Sequence, residues 1–154
     1  MEQRKSSCDF SFIQHGYIWF MSVEVNDRKQ AQRNYSETRE WQSELNTLVI
    51  DLLFYQRMVD IYGLKATNPT EKRDIELLKE ILRSFIQHRV ENQKTRLKMH
   101  EEDLQKVVED RLLLKDRELP FKHKDMAEEM QDFRMAGNGL KNDLYNKIEQ
   151  LRSS

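Results

Sequence analysis

The sequence predicts an all-α protein: a long antiparallel three-helix bundle, coiled-coil-like, with its helices running up-down-up. Three observations predict it. The 154 residues include only four glycines and two prolines, while charged residues make up 34%; a chain so rich in Glu, Lys, Arg, Gln and Leu belongs to the long-helix class. Apolar residues recur at steps of three and four along three separate stretches, which is the period of one helical face. The breaks between those stretches are short, and short links make successive helices antiparallel neighbours. The length fits one domain, expected over residues 22–154.

The first helix is expected over about residues 37–63. Trp41, Leu45, Leu48, Leu52, Tyr55, Val59 and Tyr62 follow one another at steps of 4, 3, 4, 3, 4 and 3, a heptad seam. Val49, Leu53 and Met58 widen the stripe on one flank, and Ile50, Phe54 and Ile61 widen it on the other. A stripe this broad suits a helix that touches more than one partner. Gly63 offers a left-handed stop. Residues 22–40 are polar and show little to bury.

The second helix is expected over about 69–117. Asn68 is placed to cap it, Pro69 fits its first position, and Glu71 stands where a capping-box acid reaches back. The seam runs Ile75, Leu78, Leu82, Ile86, Val90, Gln93, Leu97, His100, Leu104, Val107. Its opening steps of 3, 4 and 4 differ from the later alternation of 4 and 3, a change that locally unwinds a supercoil. Helix two is longer than helix one, so part of it projects unless residues 22–40 extend helix one or another chain covers it.

Pro120 is expected to end or kink this helix, with residues 121–125 forming a turn and Asp125 capping the next helix. The third helix is expected over about 121–151, with a seam at Met126, Met130, Phe133, Gly137, Leu140, Leu144, Ile148 and Leu151. Asn138-Gly139 is a turn signal. Yet Phe133 and Leu140 keep the heptad phase across it, which favours an unbroken helix, and Gly137 on the seam lets a neighbouring backbone come close. Leu52 and Leu144, at seam centres, are expected in the core.

Residues 1–21 differ in composition. They hold the only cysteine, Cys8, and the aromatic run from Phe10 to Met21. Gln14, His15 and Gly16 interrupt that run, no small-x-small cleavage pattern comes after it, and it falls far short of the roughly 18 to 20 residues of a membrane-spanning helix. Met21 opens a stretch that reads as an ordinary N-terminus. The expectation is an N-terminal extension that is disordered or outside the core, with no membrane span.

Composition and motifs exclude several functions. The net charge is −1 from 26 basic and 27 acidic residues, without the basic excess of a nucleic-acid-binding chain. The local cluster Arg83, Arg89, Lys94, Arg96 and Lys98 is offset by Glu101, Glu102 and Asp103 and reads as a mixed-charge solvated face. One cysteine rules out a disulfide framework and fits the cytoplasm. No Glu-x-x-His precedes any of the four histidines, against a carboxylate di-metal bundle. His88 and His100 lie about 120° and about 18 Å apart on one helix and share no metal. Ser84 and His88 share a face but have no orienting acid, as a nucleophile would need. Met126 and Met130 read as core. The expectation is therefore no enzyme, no cofactor and no catalytic or metal-ligating residue.

Gln93 and His100 remain as polar residues on an apolar line. A buried polar residue on a seam fixes register, so His100 is expected to be structural. The alternative is a small-molecule or metal-binding bundle that uses His100 and Gln93. The preferred reading is a non-enzymatic bundle acting through a protein partner or as a homo-oligomer.

The segments Trp41-Gln-Ser-Glu44-Leu45 and Ser84-Phe-Ile-Gln-His-Arg-Val-Glu-Asn-Gln93 carry a resemblance. With them, the stretch from Trp41 to Leu151 resembles a group of small uncharacterised bacterial all-helical bundle proteins. The resemblance implies a helical scaffold. It brings no established activity, and no functional residue carries over from it.

Overall fold

A computed structural model describes residues 9–109 and 118–153, with side chains from Val25 onward. Helix α1 spans Asp9–Gly63, α2 spans Pro69–Ser84, α3 spans Glu91–Glu109 and α4 spans Leu119–Ser153. A π-helical turn, Phe85–Val90, joins α2 to α3, so the two form one rod. There is no strand among the described residues, and the fold is an all-α bundle.

Cross-helix contacts set the directions. Arg134 meets Glu44 and Lys141 meets Asp51, each pair ninety residues apart, so α1 and α4 are parallel. Between α1 and the α2–α3 rod the numbers run in opposite senses. Asp60 pairs with Lys79, Gln42 donates to Glu101, and the Arg28 guanidinium donates to the Val108 carbonyl near the end of α3. The order is up-down-up.

The first helix is longer than the periodicity predicts. It begins at Asp9 instead of Glu37, and the backbone of residues 9–21, expected as a disordered extension, continues it. Residues 1–8, with Cys8, lie outside the described part. The reason for the difference lies in side-chain size and polarity. Ala31, Asn34 and Thr38 are buried at steps of three and four in phase with Trp41 and Leu45. The seam continues through small and polar residues that a search for large apolar ones passes over. This extension gives the rod a neighbour along its length.

The link between α1 and α2 covers residues 64–68. Asn68 caps α2 by accepting from the Thr70 N–H at 2.9 Å, with Pro69 in the first turn. Gly63 ends α1 without a left-handed residue, contrary to expectation; no glycine among the described residues has positive φ. Instead the Lys65 and Ala66 N–H groups donate to the carbonyls of Tyr62 and Gly63, tightening the last turn.

The rod departs from the expected seam at one place. Phe85, not Ile86, is the buried residue, and the next is Val90, five positions on. A regular heptad would place Arg89 inside. The π turn adds one residue to the helical circuit and keeps Val90 on the seam. Arg89 is left outside, its guanidinium 5.4 Å from the Phe85 ring centre and 5.9 Å from that of Phe133. The expected end of this helix near residue 117 lies outside the described residues.

α4 starts earlier than expected, at Leu119. Pro120 sits in its first turn, where a missing N–H costs nothing, and Asp125 lies within the helix instead of capping it. The helix runs unbroken through Gly137-Asn138-Gly139, as the seam phase predicts. A Cβ on Gly137 would stand 2.5 Å from the Leu48 Cδ2, so the glycine makes room for the Leu48 side chain of α1, and not for a neighbouring backbone as expected. Leu52 and Leu144 are fully buried.

Candidate functional site

Among the described residues the apolar interior is in two parts. The larger cluster runs from Trp41, Leu97 and Met126 to Ala66, Ile75 and Leu151. The smaller holds Ala31, Leu104, Val107 and Leu119. Between them lies a polar layer of Asn34, Thr38, His100 and His123, all buried.

Three helices contribute to a chain of hydrogen bonds in this layer. His100 Nε2 of α3 is 3.0 Å from His123 Nδ1 of α4, and His123 Nε2 is 3.1 Å from Glu37 Oε2 of α1. With both rings neutral, one proton order satisfies every contact. His100 Nε2–H donates to His123 Nδ1, and His123 Nε2–H donates to the carboxylate. Trp41 lies against the His123 ring, centres 4.9 Å apart and planes 20° from parallel. Burial, reinforced by the neighbouring His123 and Lys122, lowers the His100 pKa to about 4 from 6.5, against the opposing pull of Asp103. Thr38 donates to the Asn34 carbonyl one turn back at 2.8 Å, so the buried hydroxyl of the layer is engaged locally.

His100 is therefore hydrogen-bonded, as expected of a structural seam histidine, and its partner is the His123 side chain of α4 and not Gln93. Gln93 is buried two turns away on the same helix, and its Nε2 has no hydrogen-bond partner. The structure does not bring Gln93 and His100 together. It brings His100, His123 and Glu37 together, and the last two are not on the expected seams. A signal for His123 exists. It stands three residues before Met126, and Leu119 stands four before it, which continues the α4 heptad. The expectation of a turn at Pro120 hides it. Glu37 carries no such signal.

The three groups form a line, not a cluster of converging lone pairs, because both His123 nitrogens are engaged by its neighbours. Among the described residues no group of three His, Cys, Asp or Glu side chains is placed to hold a metal ion. Ser84 and His88 are both exposed, with the π turn beginning between them. The basic cluster is spread among acids: Lys94 pairs with Glu91 and Arg96 with Glu129, while Arg83 pairs with Glu80.

A groove of about 600 Å³ runs between α1 and α4. Leu45, Leu48, Met130 and Phe133 line its apolar part. The ion pairs Glu44–Arg134 at 2.8 Å and Asp51–Lys141 at 2.6 Å stand beside it, so these four charges face each other.

The outer face of α1 is unusual. Ile50, Leu53, Phe54 and Ile61 are 49–67% exposed, and Leu64 just beyond the helix is 87% exposed. The flank Ile50, Phe54 and Ile61, which sequence periodicity assigns to a broad apolar stripe, thus faces away from the core. Earlier positions on this face, including Arg33, Ser36, Glu40, Ser43 and Thr47, are polar and exposed. Among the described side chains of this face, the apolar patch therefore lies between Ile50 and Leu64. No helix among the described residues is long and apolar enough to cross a membrane. Comparisons with protein-family models, curated proteins and solved structures find no match to the chain.

Proposed function

We propose that the protein is a non-enzymatic helical bundle that acts by protein–protein contact, through the outer face of α1 between Ile50 and Leu64. The observation that carries this reading is the row of large apolar side chains on a helix face opposite the core. Contiguous apolar surface of this kind marks contact sites. The Glu37–His123–His100 chain supports a structural role for the polar layer: it gives α1, α3 and α4 one mutual register.

The alternative, a small-molecule or metal site at His100 and Gln93, has less support. His100 Nε2 is engaged by His123, and Gln93 lies about 10 Å further along the helix. The single cysteine fits a reducing compartment such as the cytoplasm. The resemblance to small bacterial helical bundles adds a scaffold and no chemistry.

The test is site-specific photo-cross-linking in cells. A photoreactive phenylalanine analogue replaces Phe54 in one version of the full chain and the exposed Lys98 of α3 in another. Defined adducts at position 54 and none at 98 are expected. A chain that gives no adduct at 54 overturns the reading.

A further inference from the structure

We propose that the outer face of α1 seats a second copy of the same chain, α1 against α1, antiparallel about a two-fold axis. This rests on the contact surface proposed above and names its occupant.

Ile50, Phe54, Arg57, Ile61 and Leu64 are spaced 4, 3, 4 and 3. Through Ile61 that is a second heptad seam on α1, turned away from the one that builds the core, and Leu64 follows in the link just beyond the helix. Two such seams on one helix let it serve its own bundle and a further helix at once.

The pattern is self-complementary in one direction only. Placing two copies antiparallel about the point midway between Phe54 and Arg57 sets Ile50 opposite the partner's Ile61. The same placement sets Phe54 opposite the partner's Arg57. A guanidinium over an aromatic face is attractive, and this fold already uses that pairing where Arg89 lies over Phe85 and Phe133. A parallel arrangement would instead set Arg57 against the partner's Arg57, which like-charge repulsion disfavours.

The area suits a dimer. Ile50, Leu53, Phe54, Ile61 and Leu64 each offer on the order of 100 Å² of apolar surface. Burying these five on both copies removes about 1,000 Å², the scale at which a specific interface begins. The flanking charges suit a second copy better than a lipid surface. A membrane-surface helix carries Lys and Arg beside its apolar face. Here the lysines beside the face, Lys141 and Lys79, are held within the chain by Asp51 and Asp60 at 2.6 and 2.7 Å, and the exposed Arg57 lies in the apolar row itself, opposite the partner's Phe54 in this placement.

Light scattering on the purified full chain at micromolar concentration gives the first test. The expected mass is twice the 18.7 kDa of one chain. Ile50→Glu with Ile61→Glu should halve it while helix content is retained. Cysteine pairing gives a second test that does not depend on those variants folding. In a Cys8→Ser background, chains carrying Ile50→Cys are mixed with chains carrying Ile61→Cys. Mixed disulfides should exceed either self-pair at least tenfold, because two copies of position 50, or of 61, lie about 16 Å apart along the antiparallel pair. A monomeric wild type, a dimer that survives the double glutamate variant, or dominant self-pairing at position 50 or 61 overturns the inference. Adducts at position 54 to a different protein would overturn it too, while leaving the wider contact reading standing. A chain with no adduct at all removes both.

Discussion

Gly137 of α4 lies directly against Leu48 of α1: a Cβ on the glycine would stand 2.5 Å from Leu48 Cδ2 and 3.1 Å from Cδ1. Two residues on, Gly139 has nothing within 4 Å of the same position. The two glycines therefore cost α4 the same helix propensity for different returns. Gly139→Ala should raise stability by about 0.8–1 kcal/mol. Gly137→Val should lower it by about 1–3 kcal/mol through overpacking. Urea denaturation of the two variants checks the contrast, and equal effects in the same direction would show that the Leu48 side chain does not fill the space beside Gly137.

The core makes a second prediction. Leu52 and Leu144 are both fully buried in the larger cluster. Truncation to alanine at either position should cost about 2–5 kcal/mol. Chemical denaturation reads this directly, and a loss under about 0.5 kcal/mol at both would place the seam elsewhere.

His100→Leu removes the donor to a buried nitrogen. On sequence grounds a leucine there should keep or raise stability, because it restores an apolar line. The structure reverses that expectation: His123 Nδ1 would be left unpaired inside the bundle, at a cost of about 1–3 kcal/mol. The double variant His100→Leu with His123→Leu should recover part of the loss, because the Glu37 side chain is 52% exposed and can turn to water. Thermal melts of the single and double variants decide the matter; a single variant more stable than wild type would remove the hydrogen bond from the account.

Acid should weaken the fold through the same residue. The His100 pKa is lowered to about 4 from an ordinary 6.5, so between these values the unfolded chain binds a proton that the folded chain refuses. Stability must then fall as pH drops from about 6.5 toward 4, since stability rises with pH wherever the unfolded state holds more protons. His100→Asn, which keeps a donor but does not titrate, should show a shallower decline over that window. Identical pH profiles for variant and wild type would mean that His100 does not take up this proton.

Periodicity makes much of the fold legible. The Trp41–Tyr62 seam, the Asn68-Pro69 start and the unbroken phase through Gly137 each depend on large apolar residues or strong caps, and each matches the structure. The misses share that dependence. Ala31, Asn34 and Thr38 fill seam positions with small or polar groups, so the first half of α1 looks empty in the sequence. The step from Leu82 to Ile86 shows a change of spacing but not its cause, a π turn that takes in one residue and moves the seam to Phe85. His100 stands out because it breaks an apolar line. His123 does not, because Pro120 suggests a turn where α4 has already begun. The outer stripe of α1 is visible as width, but only packing shows which flank faces outward.

Among the described residues, the polar layer also divides the interior into two unequal apolar clusters. Beyond the histidines, toward Arg28 and Val108, the interior holds Ala31, Leu104, Val107 and Leu119, with Tyr35 and Val108 against them. On the other side lies nearly all the remaining buried apolar surface of the described residues. Local opening free energy follows the apolar contact that opening breaks. Backbone amides around Ala31 and Leu104 should then exchange with solvent by a partial opening at lower free energy, while those around Leu52 and Leu144 wait for global unfolding. The Glu37–His123–His100 chain is the boundary at which such an opening stops.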